Sequence, residues 1–235
     1  MSVRGPDERY QDAFERIEAA VRAGETDLAR LGFWRLLAQV KRDPALAEHW
    51  ADVAGRIDRV AFETGVRVRV PVWVGNALLI GGSVVGGGAV AFALRTGSEV
   101  WAGLGLVAAG GIWSVSWHDL AHWIVGRAVG ISFTSYFIGG PLPPRPGLKT
   151  DYATYLRAPA MSRAWMHASG ALATKLAPFA ALAFWPASRA PWWAAAALVG
   201  LGLVQIATDV RFSVRSSDWK KVRRELAIAR STGRR

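Results

Sequence analysis

The hydrophobic pattern changes character once, near residue 70. Before it, apolar residues recur at helical spacing among mixed charges: Val21, Leu28, Leu31, Trp34, Leu37 and Val40, then Leu46, Trp50, Val53, Ile57, Val60 and Ala61 after Pro44. Apolar residues three and four apart form one stripe of a helix. The spacing predicts helices over 7–23 and 27–64, with Asp7 and Asp27 near their starts and Gly24 between them. These helices would form a soluble cap or an interfacial hairpin lying against a bilayer.

From Pro71 to Leu94 the chain carries no charge. As a helix rising about 1.5 Å per residue, this stretch reaches roughly 36 Å, enough for a hydrocarbon core of about 30 Å. Gly82, Gly86 and Gly87 would let a neighbouring helix approach closely. A second uncharged run, Val100–Trp117, follows the short turn at 95–99, and its helix continues to Arg127. Residues 131–164 hold alternating aromatics and then a Gly-Pro-rich section, which fits a short interfacial hairpin. Met166–Phe184, interrupted by Lys175 and Pro178, and Pro191–Thr208, closed by Asp209, are the third and fourth apolar segments. From Arg211 the chain is basic and reads as a surface helix.

The pattern thus predicts an all-α membrane protein with about four transmembrane helices, a short interfacial hairpin and an N-terminal helical cytoplasmic region. Residues 1–68 form that region, 69–212 the membrane-embedded core, and 213–235 a basic cytoplasmic tail.

Composition narrows the chemistry. The chain is 51% hydrophobic with 12 tryptophans, as befits a small membrane protein with polar ends. It has no cysteine, which excludes disulfides, thiolate metal ligands and cysteine nucleophiles. The net charge of +11 invites a nucleic-acid reading, but the excess lies at Arg145–Arg163 and beyond Arg211, flanking apolar segments. That is positive-inside charge, with anionic lipid as the expected contact of the tail. No nucleic-acid motif accompanies it, and no nucleic-acid partner is expected. The first residues lack the apolar run of a signal peptide. The loop Gly139–Arg163, with four basic residues and one acid, and the tail are expected inside. The protein is then multi-pass, in the cytoplasmic membrane, with both termini cytoplasmic. Association with further copies of the chain stays open.

Candidate chemistry sits at Trp117–Trp123, "WHDLAHW". Residues four apart share a helix face, so His118 and His122 can both present an imidazole to one Zn²⁺. The spacing is that of the HExxH zinc pattern, with Asp119 in the place of the general base, one methylene shorter than glutamate. A catalytic zinc needs a third protein ligand and an open position. Asp209 is the candidate. The charge-derived topology puts it at the depth of the histidines, and an acid ending an apolar helix is costly unless bound or paired. Pairing with Arg211 or Arg215 is the alternative. His167 is expected as an interfacial histidine, or as a substrate-binding or ligand-supporting group. Lys175 is expected to snorkel or to pair with a polar group. His49 stands among charges and is expected to have no metal role. Phe133–Ile138, "FTSYFI", could pair edge-to-edge with an unwound substrate or be a plain hairpin strand.

Three stretches together resemble the site-2 protease family, the intramembrane zinc metalloproteases of peptidase family M50. "HDLAH" (118–122) is similar to the family's HExxH. "HASGALATKLAPFA" (167–180) is similar to the helix bearing its G-P-L-A-N motif, with Gly170 as the glycine, Ala171 for proline and Thr174 for asparagine. "QIATDVRFS" (205–213) resembles a reduced form of the segment ending in the aspartate ligand, here Asp209. The resemblance covers about residues 71–225. It implies zinc held by His118, His122 and Asp209, with Asp119 as general base. It also implies cleavage of transmembrane protein substrates in or near the membrane. Gly170 and Thr174 would contact substrate or support the ligands. Asp119, Thr174, Val210 and the missing proline-rich lead depart from the family pattern, so a relative that binds zinc or substrate without cleaving is the alternative.

Overall fold

The computed structural model describes residues 6–139, 145–211 and 217–232. The Gly-Pro-rich residues 140–144, Arg215 and the start of the expected tail lie outside the described residues. The chain divides into two compact units, one built from residues 1–71, 129–161 and 226–235, the other from 72–128 and 162–225.

The first unit opens with helices α1 (Pro6–Arg22), α2 (Phe33–Val40) and α3 (Pro44–Gly65). The expected single helix over 27–64 is broken twice, and aspartates explain both breaks. Asp27 Oδ1 accepts the N–H groups of Ala29 and Arg30 at 3.0 Å, holding a turn in place of a helix. Gly32 then takes a left-handed φ of 79° before α2. Asp43 Oδ1 caps α3 through Ala45 N–H and Leu46 N–H, with Pro44 as the first helical residue. The apolar stripes meet in one core in which Phe14, Phe33, Leu37, Val40 and Ile57 are fully buried. Phe14 stacks on Trp50 with centroids 4.8 Å apart. His49 lies edge-on to Trp50.

Strands β1 (Val68–Pro71), β2 (Phe133–Gly139) and β3 (Arg145–Thr150) form an antiparallel sheet in the order β1-β2-β3. The expected hairpin is β2–β3, and β1 adds a third strand, with Val70 opposite Tyr136 and Tyr136 opposite Leu148. Phe133–Ile138 is therefore in the central strand. Both its edges are already paired, so the expected pairing of this segment with a substrate strand has no free edge to use. A short helix α6 (Tyr152–Arg157) is capped by Asp151 and brings Leu156 into the core. Lys149 Nζ reaches the buried Asp58 at 2.6 Å.

The second unit is helical: α4 (Val72–Arg95), α5 (Glu99–Ala128), most of α7 (Ala160–Leu182), α8 (Trp192–Arg211) and the start of α9 (Asp218–Thr232). Among the described residues, three helices are long and apolar enough to cross a membrane: α4, α5 and the Trp192–Asp209 part of α8. On α4, Trp73, Leu78, Ile80, Val84, Val85 and Phe92 are each more than half exposed. The packed side is made of small residues, the inverse of a water-soluble helix. At Gly86, for example, a Cβ would strike the indole of Trp113, whose Nε1–H donates to Ser83 O at 3.0 Å. The third expected segment, Met166–Phe184, falls largely on α7, which carries Arg163, Lys175 and Pro178. Pro178 has no N–H for the carbonyl of Thr174 one turn back. Ser114 Oγ on α5 lies 3.4 Å from that carbonyl.

Candidate metal centre

α5 puts His118 and His122 one turn apart, their rings nearly perpendicular with centroids 4.7 Å apart. One ring nitrogen of each histidine and a carboxylate oxygen of Asp119 lie within 4.8 Å of one another, a group that could hold a metal ion. His122 is buried, and the other two are partly buried.

The hydrogen bonds fix the tautomers. His122 Nδ1 lies 2.6 Å from the carbonyl oxygen of Met166, which can only accept, so Nδ1 carries the hydrogen. His118 Nδ1 lies 2.9 Å from Thr174 Oγ1. The single hydroxyl hydrogen of Thr174 is donated to Gly170 O at 3.0 Å, so here too the ring nitrogen donates. In each ring, when neutral, the lone pair is therefore left on Nε2.

Both Nε2 atoms face the same oxygen, Oδ2 of Asp218 in the first turn of α9, at 3.5 Å from His118 and 3.3 Å from His122. Two lone pairs aimed at a carboxylate repel it unless a proton or a cation lies between. In a tetrahedral zinc site with bonds of about 2.0–2.1 Å, neighbouring ligand atoms sit roughly 3.3–3.4 Å apart. The observed separations match that spacing. Each Nδ1–H is engaged by a carbonyl or hydroxyl, as is usual for metal-bound histidines. His118, His122 and Asp218 thus fit a divalent cation, with Asp119 beside them.

Burial by itself raises the Asp218 carboxyl, but where a proton on His122 Nε2 takes the place of a cation, its hydrogen bond and the ammonium of Lys221 outweigh that effect and hold the group well below the usual carboxylate range. The acid is anionic, as a ligand must be. Its other oxygen, Oδ1, faces Lys221 Nζ at 3.1 Å and His167 Nδ1 at 3.9 Å. His167 thus stands behind the carboxylate.

Asp209, expected as the third ligand, is held elsewhere. Its Oδ2 is paired with Lys175 Nζ and accepts Trp219 Nε1–H at 3.0 Å. The charge of Lys175 meets the cost of an acid at the end of an apolar helix. Gly170 passes so close to His122 that a Cβ there would come 2.6 Å from two of the ring carbons. Thr174 orients His118. Both residues thus support the histidines.

A cavity of about 240 Å³ opens beside the site, lined among others by His118, Thr174, Lys175, Gln205, Asp209 and Asp218. A water takes about 30 Å³ of liquid volume, so the space admits several waters or a piece of a larger ligand. Asp218 escaped the sequence reading because it lies in a segment that reads as a basic tail. Its one signal is an acid at the start of an amphipathic helix just beyond the last apolar segment. Compared with protein-family models, curated proteins and solved structures, the chain finds no match.

Proposed function

We propose that this chain is an intramembrane zinc metalloprotease similar to the site-2 proteases, with His118, His122 and Asp218 as the zinc ligands and Asp119 as the general base. The convergence of both histidine Nε2 atoms on Asp218 Oδ2 carries the reading. Two ring nitrogens, each at tetrahedral spacing from one carboxylate oxygen and beside a cavity, fit the donor set of a catalytic zinc with its fourth position open. Bound there, Zn²⁺ would polarise a peptide carbonyl and make water acidic near neutral pH.

The remaining work falls to side chains. Thr174 Oγ1 and Met166 O hold the rings so that each Nε2 faces inward. The Asp119 carboxylate takes the proton of the attacking water and returns it to the leaving amine. The substrate is a transmembrane protein, locally unwound so that its backbone is open to attack. α7 makes a fourth span, its Lys175 charge neutralised by Asp209. The charge pattern supports placing both termini in the cytoplasm and the exposed basic residues Arg223 and Arg224 of α9 near anionic lipid.

The test is metal content and cleavage together. Purified in detergent, the protein should hold about one zinc, as other catalytic sites do. His118→Ala, His122→Ala and Asp218→Ala should each lose it. Asp119→Asn should keep the zinc and lose cleavage of a fluorophore-labelled single-span peptide. Absence of zinc from the unchanged protein would sink the reading. One zinc without cleavage of any single-span peptide in a panel would favour a non-cleaving relative.

A further inference from the structure

Three helices meet at one polar node beside the candidate metal centre. Lys175 comes from α7, Asp209 from α8 and Trp219 from α9. Asp209 Oδ2 pairs with Lys175 Nζ and accepts the indole N–H of Trp219 at 3.0 Å. Lys175 Nζ also donates to Ala171 O at 3.0 Å and lies 5.7 Å from the centroid of the Trp219 ring. Trp219 is the residue after Asp218. Whatever fixes its indole fixes the first turn of α9, and that turn carries the carboxylate facing both histidines.

The first turn of a helix lacks part of its own hydrogen bonding and frays unless something outside holds it. The rest of α9 is already anchored. Two turns on, Arg163 Nε donates to Glu225 Oε2 at 2.6 Å, both side chains almost fully buried. Val222, between them on the same face, is buried too. That anchor sets where α9 lies, but not how its first turn is rotated. The Lys221 ammonium, 3.1 Å from Asp218 Oδ1, competes for the carboxylate and would draw it off the histidines if the turn loosened.

We infer that Asp209 is a positioning residue for the metal site: acting through the indole of Trp219, it holds Asp218 in register with His118 and His122. The inference rests on the zinc reading above. Supporting groups of this kind typically alter metal affinity by about 10–100-fold.

Zn²⁺ affinity of the full chain in detergent, measured by chelator competition, and the Co²⁺ absorption spectrum test it. Trp219→Phe keeps a ring beside Lys175 and loses the N–H, so zinc should bind about tenfold more weakly. Asp209→Ala should weaken binding at least as much. The double variant should be no weaker than Asp209→Ala alone, because the two side chains act in series. The Co²⁺ bands should keep their positions in all three, since the ligands are unchanged.

Wild-type affinity in Trp219→Phe would overturn the inference. So would Asp209→Ala abolishing Co²⁺ binding while Asp218→Ala retains it, which would make Asp209 itself the ligand. A wild-type protein that binds neither Zn²⁺ nor Co²⁺ would end the zinc reading, and the positioning role with it.

Discussion

Asp218 Oδ2 stands 3.3 Å from His122 Nε2, although 96 positions of sequence separate the two residues. The contact joins the start of α9 to the C-terminal part of α5. With the neutral tautomers set by Met166 and Thr174, it places acceptor against acceptor, an arrangement that a proton or a cation resolves. Four predictions follow from the groups around it and from the first unit.

Thr174→Val keeps the shape of the side chain and removes the oxygen that accepts from His118 Nδ1. Zinc affinity should fall about 10–100-fold, as for other losses of a histidine's outer partner. Thr174→Ser should restore most of it. Equal affinities for the valine variant and the wild type would show that Thr174 does not orient the ring.

Gly170→Ala puts a methyl group against the His122 ring, 2.6 Å from two of its carbons. The ring has to tilt away from Asp218 or α7 has to retreat. Overpacking of this kind costs about 1–3 kcal/mol. Zinc content and thermal midpoint should both drop, whereas alanine at Gly87, which has open space around it, should change neither.

Arg163→Met strands the buried carboxylate of Glu225, whose side chain is 4% exposed. Removing one member of a buried pair costs about 3–5 kcal/mol. Arg163→Met with Glu225→Leu should recover much of that loss, since no charge is then left buried. Thermal unfolding in detergent reads the difference, and a double variant as unstable as the single one would count against the pair as the cause.

In the first unit the hydrogen bond from Arg56 holds the Glu18 carboxyl below its ordinary value, against the opposing effect of burial, with Arg22 adding to the lowering. A lowered carboxyl stabilises the fold above its unfolded value, about 4.3 for glutamate. That contribution is lost as pH falls through the folded value. Glu18→Gln should therefore flatten the acid limb of the stability–pH curve and leave its shape above pH 6 unchanged.

The helices and the histidine pair were legible because both are local. Apolar periodicity marked α2 and α3, the absence of charge marked α4 and α5, and a spacing of four placed His118 and His122 on one face. The first-unit breaks were not read, because Asp27 and Asp43 act on backbone N–H groups that periodicity ignores. β1 was hidden because four residues ending in a proline make too short a pattern. The partner of Asp209 was missed for a different reason. Charge supplied an expected depth for Asp209 and nothing more. Only the fold shows that Lys175, two turns inside an apolar helix, already occupies it. Asp218 carried no warning beyond its place at the head of a basic amphipathic helix.

The distance along the chain between His122 and Asp218 has a consequence for synthesis. Ribosomes deliver α5 to the membrane long before α9 exists. A nascent chain halted after α8 holds the two histidines and lacks the carboxylate that faces them. The cluster of His118, His122 and Asp218 therefore cannot form until α9 has left the ribosome and docked.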